Sequence, residues 1–260
     1  MGRLTALVAA LALASPGAFL QSHQGSDGGF AEPGGREFPE LTAWATLALR
    51  ADGRNTDAAL AYLRAHEDEL TQPNQIALVA LAEAAAGGDS AALLRRLPAQ
   101  PTRVNTAIWG ILAYRQAGKA APPAYVTYLR RSQARNGGFS WQRGGKPDSN
   151  DSAAAVQALR AIGMKGKPIA RALTFLRKFQ NRDGGFELAL GRGSDAQSTA
   201  FAVQAFVAGG GRPPAHALAY LASLRRADGS YRYSRAYAVT PVWVTSQVLP
   251  AARRKPFPLR

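Results

Sequence analysis

The feature that most constrains this chain is an internal repeat. Four segments align without gaps: 19–30 (FLQSHQGSDGGF), 128–139 (YLRRSQARNGGF), 175–186 (FLRKFQNRDGGF) and 220–231 (YLASLRRADGSY). Each reads aromatic, Leu, three residues, Gln (Arg225 in the last copy), three residues, Gly, one residue, aromatic. The closing aromatics Phe139, Phe186 and Tyr231 recur at intervals of 47 and 45 residues, whereas Phe30 precedes Phe139 by 109. Residues 73–117 fill that longer gap with helical patterns but no glycine–aromatic ending. A period of this length marks one supersecondary unit that cannot bury its own apolar face and must stack on its neighbours.

The unit can be read physically. Ile169, Ala172, Leu173, Leu176 and Phe179 recur at helical spacing. Asp or Asn followed by Gly-Gly then stops the helix, because glycine reaches the left-handed conformation without a Cβ clash. After the aromatic comes a polar loop and a second helix. Ser149 to Ser152 precede AAAVQAL and Asp195 to Thr199 precede AFAVQAF, supplying side-chain oxygens for the free N–H groups of a helix start. Matching the two VQA runs pairs Ser152 with Thr199 and Asp148 with Asp195, and a weaker copy spans 42–49. The pattern predicts helices near 39–51, 56–65, 73–86, 103–117, 122–134, 150–163, 167–180, 196–209, 214–226 and 240–252. The helices after the loops are alanine-rich and nearly uncharged. Those before the turns carry arginine on one face, so an inner and an outer layer are expected.

Composition limits the chemistry. The chain has no cysteine, which excludes disulfides, thiolate metal sites and a cysteine nucleophile. Arg3 followed by the apolar run 4–14, ending in Ala12-Leu13-Ala14, reads as a short export signal, with a buried first helix as the other reading. Residues 15–252 then form the repeat domain, and 253–260 a basic tail whose Pro256 and Pro258 argue against helix. The net charge of +15 is dispersed, densest at Arg95-Arg96, Arg130-Arg131, Arg225-Arg226 and Arg253-Arg254-Lys255. Such a surface suits anionic headgroups or an anionic cell-surface polymer, or is simply a set of solvated helix faces. No nucleic-acid-binding signature is present, so no nucleic-acid partner is expected.

The repeat resembles the Gln-Trp motif of squalene and oxidosqualene cyclases, with Phe30, Phe139, Phe186 and Tyr231 where that motif prefers Trp. The resemblance covers most of the chain after residue 18. It implies an all-α fold, the α/α toroid shared with protein prenyltransferase β subunits, in which inner helices surround a cavity for an apolar ligand. It also implies that Gln24, Gln133 and Gln180 are scaffold residues tying helix ends together.

The family's chemistry is only partly matched. Class II terpene cyclases donate a proton from the middle acid of an Asp-x-Asp-Asp motif. The corresponding run here is Asp148-Ser149-Asn150-Asp151, and the carboxamide of Asn150 has no acidic proton to deliver. Asp148 and Asp151 remain as alternative acids or as helix caps. The prenyltransferase zinc site needs a cysteine, and His23, His66 and His216 lie away from the inner-helix starts, so no metal or other cofactor is expected. Trp44, Trp109, Phe201, Phe206 and Trp243 supply a thin aromatic lining. Glu40, Thr42, Asn105, Asp148, Asn150, Asp151, Asp195 and Gln197 fall at one phase of the repeat and are expected to ring one rim as the ligand site. The expected function is an exported, monomeric, non-catalytic toroid holding an isoprenoid-like apolar molecule or an envelope component. The alternatives are a reduced class II cyclase using Asp148 or Asp151, and a repeat scaffold docking through its basic rim.

Overall fold

The computed structural model describes residues 14–259. The expected signal segment therefore lies outside the described residues, apart from Ala14. Twelve α-helices make up the described fold: α1 Pro16–Gln21, α2 Pro39–Ala51, α3 Asp57–Ala65, α4 Pro73–Ala85, α5 Ala91–Arg96, α6 Val104–Gln116, α7 Pro123–Arg131, α8 Ser149–Ala161, α9 Lys167–Arg177, α10 Ala196–Ala208, α11 Ala217–Ser223 and α12 Pro241–Ala252. The even-numbered helices pack side by side in chain order, and α12 packs back on α2, closing a ring of six. The odd-numbered helices form the outer layer, each against the inner helix that follows or precedes it. This is the expected all-α toroid. Two short outer helices, α1 and α5, went unread because six residues are too few to show a periodicity.

The repeat motif explains the architecture almost atom by atom. In each copy the turn-opening Asp or Asn accepts a hydrogen bond from the N–H two residues on: Asp27 from Gly29 (2.9 Å), Asn136 from Gly138 (3.1 Å), Asp183 from Gly185 (3.0 Å) and Asp228 from Ser230 (2.9 Å). The closing aromatic then donates its backbone N–H to a hydroxyl near the start of the next inner helix. The pairs are Phe30 to Thr42 (2.9 Å), Phe139 to Ser152 (2.8 Å), Phe186 to Thr199 (2.8 Å) and Tyr231 to Thr245 (3.0 Å). The Phe30, Phe139 and Phe186 rings are fully buried and that of Tyr231 nearly so.

The motif glutamines are scaffold, as the resemblance implies. Gln133 Nε2 donates to Gly137 O and Pro168 O, both at 2.9 Å, joining its turn to the start of α9. Gln180 does the same with Gly184 O (3.0 Å) and Ala215 O (2.7 Å), ahead of α11. Gln24 closes its own turn on Gly28 O. Arg225, which replaces Gln, donates to Ala14 O at 2.7 Å and so ties the last repeat to the first.

Glycine is required at the turn for two separate reasons. Gly184 has φ +86°, and a Cβ there would lie 2.5 Å from His216 Cβ and 2.8 Å from His216 O. The next repeat's outer helix thus starts directly on the turn backbone. Gly144 has φ +81° but open space around it.

Segment 253–259 is non-helical, as its prolines imply, but it is not a separate tail. It folds back over the C-terminal end of the inner ring. Phe257 is buried in the main core, and its N–H donates to Gln157 Oε1 at 2.8 Å. Its ring centroid lies 6.1 Å from those of Trp44 and Trp109.

Several polar side chains are buried on the inner helices, among them Gln157, Gln204 and Glu83. Glu83 on α4 is fully buried, and neither carboxylate oxygen has a hydrogen-bond partner among the described residues. Burial, reinforced by Glu67, raises its carboxyl to about 7. The cost of leaving it unpaired should be removable. Glu83→Leu is expected to gain about 1–3 kcal/mol in urea unfolding at pH 8. The gain should shrink towards pH 5, because a raised carboxyl stabilises the fold only where it stays protonated.

The two glycines make a paired prediction. Gly184→Ala should cost about 2–4 kcal/mol, since backbone strain and a backbone clash combine. Gly144→Ala should cost about 1–2 kcal/mol, from strain alone. Equal losses in denaturant melts would show that the contact with α11 contributes nothing.

Candidate functional site

The hydroxyl anchors set a common frame on the inner helices, and the side chains facing the axis follow from it. At the first level, near the helix N-termini, stand Glu40, Asn74, Asn105, Asn150, Gln197 and Trp243, each only partly buried. Four residues deeper come Trp44, Leu78, Trp109, Ala154, Phe201 and Gln247, all nearly or fully buried. At 1.5 Å rise per residue the second level lies about 6 Å below the first.

That second level closes the axis. Its large rings come from alternate helices: Trp44 on α2, Trp109 on α6 and Phe201 on α10. Their centroids are 5.3 Å (Trp44–Trp109), 6.2 Å (Trp44–Phe201) and 6.4 Å (Trp109–Phe201) apart, in edge-to-face contact. The smaller Leu78, Ala154 and Gln247 between them leave room for these rings to meet. The axis at this depth is therefore packed aromatic core. At this depth aromatic packing stands where the resemblance implied an open apolar cavity: an aromatic floor lies beneath a rim of amides, one carboxylate and Trp243. Phe206, expected in the lining, instead packs against Phe186 at 6.5 Å, with Arg177 over its other side at 5.0 Å.

The structure divides the eight expected rim residues. Glu40, Asn105, Asn150 and Gln197 occupy the rim. Thr42 does not, because its hydroxyl accepts from Phe30 N–H. Asp148 and Asp195 are N-caps: Asp148 Oδ1 accepts from Asp151 N–H at 2.8 Å, and Asp195 Oδ1 from Ser198 N–H at 2.7 Å. Asp151 sits between α8 and α6, where Asn105 Nδ2 approaches its Oδ1 at 3.4 Å. Asn74 and Trp243 complete the rim; Asn74 was missed, and Trp243 was expected only in the aromatic lining. The Asp-x-x-Ser/Asp start leads α8 and α10 alone.

The rim is tied together by the loops ahead of each inner helix, which cap the previous one. Trp141 O accepts from Val104 and Asn105 N–H (3.1 and 3.3 Å), Leu188 O from Ser149 N–H (3.2 Å) and Tyr233 O from Ala196 N–H (2.7 Å). At α12 the carboxylate of Glu32 takes this role, accepting from Val242 (3.0 Å) and Trp243 (2.8 Å). Gln75 Nε2 donates to Glu40 Oε1 across α4 and α2. Beside Asp195 a cleft of about 340 Å³ opens between the last two loops, lined by Asp183, Arg192, Tyr220, Tyr233, Arg235 and Tyr237.

Asp148 and Asp151 are neighbouring buried carboxyls. Burial raises both carboxyls, and the neighbouring Asp148 carboxylate pushes Asp151 further, to about 8. The equivalent pair in the next repeat shows what the slot accepts. There Ser198 Oγ donates to Asp195 Oδ2 at 2.8 Å. Asp151 stands where Ser198 does, and only its protonated form has a side-chain hydrogen to offer Asp148.

No family model matches the sequence, and no curated protein matches it. Solved structures do. The chain is similar to the apo type II terpene cyclase MstE from Scytonema, with TM-score 0.69, 13% identity, and 92% of this chain and 96% of that one covered. This is a terpenoid-cyclase-like α/α toroid. It is also similar to a protein from Actinoplanes (TM-score 0.67, 18% identity, 92% and 97% covered). A glycosidase variant in complex with glucose shares the fold too (TM-score 0.67, 14% identity, 92% and 94% covered). At these identities the likeness establishes the fold, and neighbours named for such different activities show that this toroid does not dictate one chemistry.

The carboxyl pair yields a pH prediction. Below about pH 4 both folded and unfolded chains hold the Asp151 proton. Between there and pH 8 the unfolded chain releases it while the fold retains it, so stability falls as pH rises. Asp151→Ser, the residue of the sister repeat, should match the parent near pH 4 and exceed its Tm by about 3–6 °C at pH 9. Identical melting curves at pH 9 would rule out the retained proton.

Proposed function

We propose that this toroid is a non-catalytic binding protein that holds a small amphiphile at the rim of its inner ring. The observation that supports this is the closed aromatic floor. A long polyprenyl chain has no axial room at the level of Trp44, Trp109 and Phe201. A compact molecule can lay an apolar face on that floor and point hydrogen-bonding groups at Glu40, Asn74, Asn105, Asn150 and Gln197. The expectation of a purely apolar ligand narrows accordingly, because a ring of amides would be left unpaired by one. Asn150 stands on the axis-facing side of α8 where a cyclase would need an acid, and the two flanking carboxyls are engaged in a cap. Export through residues 1–14 belongs to the same proposal and rests on that segment's sequence alone.

Tryptophan fluorescence tests the reading directly, since Trp44, Trp109 and Trp243 lie at the floor and rim. Menthol, a compact apolar ring with one hydroxyl, should quench saturably, whereas glucose should not. Asn150→Ala should weaken menthol binding roughly tenfold while leaving the fold intact. No saturable response to menthol would sink the proposal, and a response to glucose would redirect it to a sugar ligand.

A second reading is favoured by the proton retained on Asp151 beside Asp148: a reduced cyclase that protonates an alkene from Asp151. Formation of a cyclised product from squalene, lost in Asp151→Ser but not in the parent, would establish it. Absence of product from the parent chain would remove it.

A further inference from the structure

The four large apolar side chains that stay exposed among the described residues all lie in one loop of the repeat unit. They are Trp141 (44% exposed), Leu190 (68%), Tyr237 (63%) and Val239 (54%). Trp141 lies in the loop between Phe139 and α8, Leu190 in that between Phe186 and α10, and Tyr237 and Val239 in that between Tyr231 and α12. These same loops cap α6, α8 and α10, which are consecutive members of the inner ring. The apolar tips therefore form one arc on the rim face. Single exposed hydrophobics need no explanation, but four confined to consecutive equivalent loops do. The equivalent loop over α12, residues 31–38, carries Glu32 and Glu37 instead, so the patch is an arc and not a full ring.

The arc is also basic. Arg143, Arg192 and Arg235 are exposed in the three loops, one in each, and the Arg103 guanidinium lies 4.2 Å over the Trp141 ring. Each loop thus carries both an apolar tip and an exposed arginine, on a chain of net charge +15.

We propose that this arc docks the protein on an anionic lipid bilayer, independently of whether the rim holds a ligand. An indole suits the headgroup level, Leu190 and Val239 suit the acyl boundary, and arginines set between them match a surface of repeated phosphates. No described helix is long and apolar enough to cross a membrane, and the contact proposed is a peripheral one made by the loops. A protein partner would also bury the apolar tips, but the arginine beside each tip fits a field of phosphates better than an apolar protein groove.

The full chain would be sedimented with vesicles of phosphatidylglycerol mixed into phosphatidylcholine, and with phosphatidylcholine alone. Partitioning should be roughly tenfold or more stronger on the anionic vesicles. The triple variant Trp141→Ser, Leu190→Ser, Tyr237→Ser should lose roughly tenfold or more of that binding, with its helical circular dichroism unchanged. Arg143→Gln with Arg192→Gln and Arg235→Gln should bring anionic vesicles down to the phosphatidylcholine level. Brominated lipid should quench the parent's tryptophan emission, and Trp141→Phe should remove most of that quenching. No partitioning onto anionic vesicles overturns the proposal. So does binding that the apolar triple variant retains in full, or that soluble heparin reproduces with the same indifference to those three residues, since either assigns the attraction to bare charge.

Discussion

Order in both helix layers depends on one hydrogen bond made four times, from the N–H of the turn-closing aromatic to a Ser or Thr hydroxyl near the start of the next inner helix. It is buried, so losing the hydroxyl would strand an N–H with no water to replace it. It also sets rotation. With Thr42, Ser152, Thr199 and Thr245 turned back towards their turns, the residues two before and two after each hydroxyl must face the axis. The rim and the aromatic floor are consequences of that register. The Asx turn, the left-handed glycine and the motif glutamine all serve to deliver the aromatic to this bond at the correct angle.

Closure of the ring needs separate devices, because α12 and α2 are far apart in sequence and no ordinary repeat joins them. Arg225 to Ala14 O, the Glu32 carboxylate on the start of α12, and Arg253 Nε to Asp52 Oδ1 at 2.6 Å all cross that seam. Charged side chains do there what peptide carbonyls and glutamines do elsewhere. A charged acceptor makes a stronger bond than a neutral one, which suits a junction without covalent continuity.

The candidate site is shaped by two ordinary packing choices. Large rings on alternate inner helices fill the axis, and Phe257 fills the opposite end from a segment outside the repeat. The carboxyl pair on α8 keeps a proton near neutral pH for the same reason that Asp195 keeps Ser198 as its partner: a buried cap prefers a donor beside it to a second negative charge.

Much of this was legible in the sequence because the repeat is local. The glycine turns, the second helices led by Asp148 and Asp195, and two concentric layers all follow from spacing and side-chain chemistry within one unit, whereas the scaffold role of Gln133 and Gln180 was implied by the family resemblance. Rim membership was half legible: helical phase placed Glu40, Asn105, Asn150 and Gln197 there, but only the packed structure shows that Thr42, Asp148 and Asp195 are engaged in anchors and caps instead. What only the tertiary structure decided lies between units. Whether rings from α2, α6 and α10 meet across the axis depends on the ring's diameter and on small residues at Ala154 and its neighbours. Whether segment 253–259 hangs free or enters the core depends on a slot made by residues a hundred positions earlier. Contacts of that kind are set by packing among distant segments, and a one-dimensional pattern carries no record of them.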